Sequence, residues 1–167
     1  DLPKQKNAVR DYLRKENIEN EWTMIQGEVY TNRINEAIPY PGMKETIVKI
    51  RSKKISLKII SHKTQFPYMG PKNDLHKSAF SWLETNKFFE KDLGFNRNDI
   101  FFETTKENKI NRILKTKCTY YLDDLPEILS MIPSTIKRIN FSPNNNKVNN
   151  SEWIVINKWT ELLKVIL

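Results

Sequence analysis

Four side chains in the sequence are of the types that bind phosphate groups and divalent cations, and each stands beside a predicted strand or helix start. Ser61 follows the apolar run KISLKII, and Lys106 lies in the segment TTKENKI. Asp123 and Asp124 follow the run TYYL. Carboxylates are hard oxygen ligands, so the aspartate pair indicates a divalent cation such as Mg²⁺. A lysine at a helix start is suited to a bound anion.

Each of these residues also has an ordinary structural interpretation. A serine after a strand commonly stabilises a turn, and one aspartate of a pair commonly caps the following helix. Thr104 and Glu107 have the spacing of a capping box, which places Lys106 in the first helical turn. A cation there opposes the helix dipole unless an anion binds nearby, although a lysine that extends into solvent fits the sequence equally well. The sequence alone leaves these alternatives open.

Alternating strand and helix patterns place the candidate residues at one edge of a sheet. Five predicted strands, separated by helical patterns, cover 54–60, 99–102, 119–122, 136–141 and 153–156. Strands that alternate with helices predict a parallel sheet with helices on both faces. In such folds, polar side chains at the carboxyl ends of the strands line the ligand crevice. The predicted fold class is therefore α/β.

The first 38 residues have a different pattern from the rest of the chain. Apolar residues at helical spacing predict helices there, and Pro39-Tyr40-Pro41-Gly42 interrupts the pattern before the next helix. We therefore expect a helical segment over 1–38 and an α/β core over 39–167.

Composition and charge exclude several classes of protein. The formal net charge of +8 would suit a polyanion, but the lysines are scattered singly, so nucleic acid is not the expected partner. No apolar run approaches the roughly 18 residues of a membrane span, and the first residues lack the apolar core of a signal peptide. The single Cys118 fits a reducing compartment. We expect a soluble, cytoplasmic protein, and the sequence leaves its oligomeric state open.

The order of these segments resembles the haloacid dehalogenase (HAD) superfamily of hydrolases. KIISHKT is similar to the second motif of that family, TTKENKI to the third and YYLDDLPE to the fourth. The resemblance covers 39–167, and residues 1–38 would correspond to the helical cap. It implies a HAD-like Rossmannoid sheet and a Mg²⁺-dependent phosphatase that acts on a small phosphomonoester through an aspartyl-phosphate.

The resemblance also implies a role for each matching residue. Ser61 would hydrogen-bond the phosphoryl group and Lys106 would neutralise its charge, with Lys109, one turn later, as the second choice. Asp124 would bind Mg²⁺, with Asp123 assisting directly or through water.

Two further residues are candidate substrate contacts. His62 follows Ser61 in the second motif, and Arg33 lies in the segment that corresponds to the cap. Either would select the substrate rather than take part in the chemistry.

The sequence departs from the family at the first motif, a strand that ends in Asp-x-Asp and supplies the nucleophile. No two of its seven aspartates are separated by a single residue; they stand at positions 1, 11, 74, 92, 99, 123 and 124. The resemblance therefore implies a fragment that lacks the central first strand and is inactive by itself. The alternative is a catalytically inactive relative that binds phosphate or another protein.

Overall fold

The computed structural model describes residues 6–144 and 151–167. Its α-helices are α1 (Lys6–Lys15), α2 (Glu19–Val29), α3 (Met43–Ser52), α4 (Leu75–Thr85), α5 (Lys106–Lys115), α6 (Pro126–Ser130) and α7 (Leu162–Ile166). Its strands are β1 (Ile59–His62), β2 (Ile100–Glu103), β3 (Tyr120–Asp123), β4 (Lys137–Phe141) and β5 (Ile154–Ile156). Short 3₁₀ helices cover Ile34–Glu36, Arg97–Asp99 and Trp159–Glu161. Within this part of the chain, none of the helices combines the length and the apolar character that crossing a membrane requires.

The chain divides into two compact units, one made of 1–38 with 63–86 and the other of 39–62 with 87–167. In the first unit, the Trp82 indole donates a hydrogen bond of 2.7 Å to the Ala37 carbonyl, which joins α4 to the end of the N-terminal segment. Gly27 of α2 lies so close to Pro67 that a β-carbon would come within 3.2 Å of that ring. Segment 63–86, which the sequence analysis assigns to the core, therefore packs with the N-terminal helices.

The second unit contains two parallel sheets. β1 pairs with β2, with Ser61 opposite Phe102, whereas β3, β4 and β5 form the other sheet, with Asp123 opposite Asn140. The α/β class and the parallel pairing are as the sequence predicts. Within the described residues the ladder is interrupted between β1 and β3. Such an interruption is expected of a sheet that lacks its central strand, and the identity of the missing strand stays a prediction.

Helices cover both faces of the larger sheet, because successive residues of its strands direct apolar side chains to opposite faces. Tyr121 contacts a cluster that contains Ile113 of α5 and Leu129 of α6. Leu122, the next residue, contacts the opposite cluster, which contains Ile50 of α3 and further residues of β4, β5 and α7. Strands with helices on both faces must be apolar on both faces.

The carboxyl ends of the strands lie at a common edge. Helix α5 begins at Lys106, soon after β2 ends at Glu103. Lys109, in the first turn of that helix, contacts Asp123 at the end of β3. Because one helical turn touches the ends of strands from both sheets, this edge is the carboxyl edge of both.

The first strand begins later than the sequence predicts. Lys54 has a positive φ of 59°, which ends α3 in a left-handed turn, and the backbone pairs with β2 only from Ile59 onward. A left-handed residue is incompatible with extended backbone. The strand predicted over 54–60 therefore cannot begin at Lys54; it is observed over Ile59–His62 and ends two residues later than predicted.

Candidate functional site at the carboxyl edge of the strands

A buried ion pair lies at the centre of the carboxyl edge. The Lys109 Nζ donates a hydrogen bond of 2.6 Å to the Asp123 Oδ2, and the two side chains are only 6% and 7% exposed. The backbone amide of Leu125 donates to the other oxygen, Oδ1, at 3.0 Å. Removing two charges from water is costly unless further hydrogen bonds satisfy them. Asp123 has those hydrogen bonds, so its carboxylate can remain buried.

Tyr121 adds a third partner to this carboxylate. Its hydroxyl lies 3.2 Å from the Asp123 Oδ2 and 3.2 Å from the carbonyl oxygen of Ile60 in β1. Burial, followed by the neighbouring Asp123 carboxylate, raises the pKa of the Tyr121 hydroxyl far above its ordinary value. The hydroxyl therefore stays protonated and can donate to either oxygen. The Tyr121 side chain therefore connects the two sheets at the place where β1 and β3 do not pair.

Asp124 differs from its neighbour because it is exposed. Its backbone is held by Asn140, which is 1% exposed and lies on β4. The Asn140 Nδ2 is 3.4 Å from the Asp123 carbonyl oxygen and 3.5 Å from that of Asp124. The Asn140 amide thus lies beside the turn after β3, in which one of the two adjacent carboxylates is buried and the other exposed.

Lys106 occupies the first position of α5, at the surface. Its ammonium group pairs with Glu127, and the two side chains are 39% and 64% exposed. The predicted first-turn position is confirmed, but the expected capping box is wrong by one residue. Thr105, rather than Thr104, caps the helix, because its hydroxyl accepts the Asn108 amide at 3.1 Å.

Ser61 and His62 lie at the end of β1, on the same edge. Ser61 follows Ile60, whose carbonyl faces the Tyr121 hydroxyl, and is half-buried. The His62 ring is exposed, with Nε2 3.2 Å from the carbonyl oxygen of Thr104. This contact joins the end of β1 to the residue that follows β2.

Arg33 belongs to the first unit of the chain. Its guanidinium group pairs with Glu36 at the surface, and this carboxylate raises the pKa of Arg33 further above its already high value. The edge described above is formed without Arg33, which stays a predicted substrate contact.

Of the two predicted metal ligands, Asp124 has the more accessible carboxylate. No group of three or more His, Cys, Asp or Glu side chains that would hold a metal ion is found in residues 6–144 and 151–167. Asp123 already accepts from Lys109, Tyr121 and the Leu125 amide. Since Mg²⁺ commonly uses one or two protein carboxylates and keeps several waters, an exposed carboxylate such as that of Asp124 is a suitable ligand.

The comparisons with known proteins identify no relative. A scan against protein-family models, a search of the curated proteins and a search of the solved structures each gave no match. The resemblance to the HAD superfamily therefore stays a prediction from the three motifs.

Sequence reasoning did not identify two residues of this edge, Tyr121 and Asn140, and ranked Lys109 second. A signal for Lys109 was present, because it stands four residues before Ile113, the most deeply buried residue of α5, and so shares a helical face with it. Nothing in the strand pattern KRINF, which also contains Lys137 and Arg138, distinguished Asn140. Nothing in the pattern TYYL distinguished Tyr121 from Tyr120.

Proposed function

We propose that the second unit is the phosphate-binding and Mg²⁺-binding part of a HAD-like phosphohydrolase that acts on a small phosphomonoester. The buried Lys109–Asp123 pair at the carboxyl edge carries this proposal. Ligands of parallel α/β folds bind at that edge.

Lys109 is the better placed of the two candidate lysines for the charge of a bound phosphoryl group. The Asp123 carboxylate and the surrounding fold hold its ammonium group in one position. The Lys106 ammonium pairs with a surface carboxylate and is partly solvated. A fixed cation stabilises developing charge without reorganisation when the reaction occurs, so we assign Lys109 the central role and Lys106 a peripheral one.

Ser61 and Asp124 supply the remaining contacts in this proposal. The Ser61 hydroxyl lies at the end of β1 and can donate to a phosphoryl oxygen. The exposed Asp124 carboxylate would hold Mg²⁺, with Asp123 assisting directly or through a water molecule. When bound, the ion would neutralise charge on the phosphoryl oxygens.

The nucleophile is the part of the mechanism that these residues do not provide. An aspartyl-phosphate requires a carboxylate aligned with phosphorus, and the sequence contains no Asp-x-Asp pair. We therefore place the nucleophile in the parent protein, on a strand outside this sequence. The same observation favours the alternative, a catalytically inactive HAD-like domain that binds phosphate or another protein.

The proposal is tested by titrating the purified chain with inorganic phosphate, with and without Mg²⁺, and following binding by calorimetry. Phosphate should bind, and Ser61→Ala should weaken binding by roughly tenfold, the value of one hydrogen bond to a charged group. Asp124→Asn should remove the dependence on Mg²⁺.

The control for general attraction of phosphate to a basic protein is Lys58→Ala. The Lys58 ammonium pairs with Asp99 at the opposite edge, just before β1 and β2, and its side chain is 36% exposed, close to the 39% of Lys106. Its removal should leave phosphate binding unchanged. Equal weakening by Lys58→Ala and Ser61→Ala would show general attraction of phosphate to a basic protein and would contradict the proposed site.

A further inference from the structure

We propose that a cavity at the amino edge of β4 and β5 binds a small organic carboxylate, which pairs with Arg138. This edge is at the other end of the strands from the candidate phosphate site and contains none of its residues. The inference therefore goes beyond the proposed function and does not depend on it.

The cavity lies where β4 and β5 begin. It has a volume of about 310 Å³ and is lined by Ser134, Ile136, Lys137, Arg138, Glu152 and Ile154. Binding sites for small molecules have volumes of about 300–1,000 Å³ and combine apolar walls with a few polar groups. The lining here combines two isoleucines with a serine and an arginine, whose side chains are hydrogen-bond donors. The cavity therefore suits a small molecule that has an apolar part and an acceptor group.

Arg138 gives the cavity a fixed positive charge. Its side chain is only 10% exposed, and its Nη1 donates a hydrogen bond of 3.3 Å to the Ile132 carbonyl oxygen. A guanidinium group has five N–H donors in one plane, which match the two oxygens of a carboxylate. The Lys137 ammonium, in contrast, lies 3.3 Å from the Tyr120 hydroxyl and 5.1 Å from the centre of that ring. A single buried cation predicts a ligand with a single negative charge.

The chain itself places a carboxylate against this guanidinium group. The Glu152 Oε2 accepts a hydrogen bond of 2.5 Å from the Arg138 Nη2, and the Glu152 side chain is 68% exposed. A carboxylate of this shape therefore fits the position. Because water can solvate so exposed a side chain, releasing it costs little. A ligand carboxylate can replace that of Glu152, so that the charge of Arg138 is paired in both states.

Trp153 supplies a second donor beside the arginine. Within the described residues, its buried indole Nε1 has no hydrogen-bond partner. Ile139 pairs with Ile154, and extending this register by one residue places Trp153 opposite Arg138. Such neighbours lie about 4.8 Å apart, with their side chains on the same face of the sheet. A buried donor without an acceptor calls for a further group, and the second oxygen of a carboxylate can accept from it.

The test uses the full chain and sodium benzoate, a planar monocarboxylate, with benzamide as its neutral counterpart. Two-dimensional NMR records the indole N–H resonances of the four tryptophans, and the resonance that Trp153→Phe removes is that of Trp153. Benzoate at millimolar concentration should shift this resonance to saturation, and benzamide should not. The amide resonances of Arg138 and Ile154 report the affinity of Trp153→Phe, which should fall roughly tenfold with the loss of a hydrogen bond to a charged group.

Two variants with the same change of charge separate this site from general attraction of an anion to a basic protein. Glu152→Gln removes the competing carboxylate, so benzoate should bind about threefold more tightly, the value of an exposed ion pair. Glu90→Gln is the matched control, because Glu90 pairs with Lys87 at the surface and its side chain is 62% exposed. It should leave the affinity for benzoate unchanged.

Arg138→Gln should abolish the benzoate shift, and thermal melting verifies that the variant is folded. If it does not fold, the comparison of Glu152→Gln with Glu90→Gln decides. The site would be overturned if benzoate left the Trp153 resonance unchanged, if benzamide shifted it equally, or if both glutamine variants tightened binding equally. A shift by inorganic phosphate at lower concentration than by benzoate would overturn the assignment to a carboxylate.

Discussion

Lys109→Met should destabilise the protein strongly, because it breaks the buried ion pair. Methionine keeps an unbranched apolar chain in place of the lysine stem but removes the ammonium group. The Asp123 carboxylate, 7% exposed, would keep the Leu125 amide and the Tyr121 hydroxyl as partners but would lose its counter-charge. Leaving one member of a buried pair unpaired costs about 3–5 kcal/mol. Domains of this size have a total stability of about 5–15 kcal/mol.

Urea unfolding followed by circular dichroism measures this loss. Lys106→Met is the matched control, since its pair with Glu127 is exposed and such pairs contribute about 0–1 kcal/mol. The double variant Lys109→Met with Asp123→Asn removes both charges and keeps an acceptor for the Leu125 amide. It should be more stable than Lys109→Met alone. Equal losses for Lys109→Met and Lys106→Met would refute the burial argument.

Three further outcomes are expected. Gly42→Ala should lose about 1–2 kcal/mol of stability because Gly42 has a positive φ. It should lose more because the Thr160 Cγ2 lies 3.0 Å from the new β-carbon. Gly70→Ala, which has a positive φ but open space around it, should show the strain alone in urea unfolding. Asp74 caps α4, and the hydrogen bond from the Lys77 amide lowers the pKa of its carboxyl. The ionised carboxylate therefore stabilises the folded protein at pH values above its unfolded pKa, and this stabilisation is lost as the pH falls through the folded pKa. Asp74→Ala should therefore cost about 1 kcal/mol at pH 7 and progressively less below about pH 4. The purified chain should not hydrolyse p-nitrophenyl phosphate; Mg²⁺-dependent turnover that Asp124→Ala abolishes would mean that the chain contains its own nucleophile.

The sequence predicted the α/β class and the common edge of Ser61, Lys106 and the two aspartates. It did so because apolar periodicity depends on local spacing, which a single sequence contains. The late start of β1 was not predictable in the same way. The run KISLKII has strand composition throughout, and nothing in it marks the left-handed turn at Lys54.

The different environments of Asp123 and Asp124 were also beyond the sequence. Both carboxylates follow the same strand, and only the contacts of Lys109, Tyr121 and the Leu125 amide make the first a buried partner. The Tyr121 and Leu125 contacts come from the same strand and its turn, but the Lys109 contact comes from helix α5, fourteen residues earlier, and no local pattern records it. Thr105 caps helix α5 instead of the predicted Thr104 for a related reason. Adjacent threonines have the same side chain, and only the backbone direction decides which of them caps the helix.

Asn140 is protected from the chemical ageing that asparagines commonly undergo. Deamidation begins when the backbone amide of the next residue attacks the side chain, which requires water and a flexible backbone. Asn140 is 1% exposed and lies in a strand that is paired on both sides, with Asp123 on one neighbour and Val155 on the other. Exposed asparagines in loops should therefore deamidate first, while the turn beside Asn140 keeps its amide.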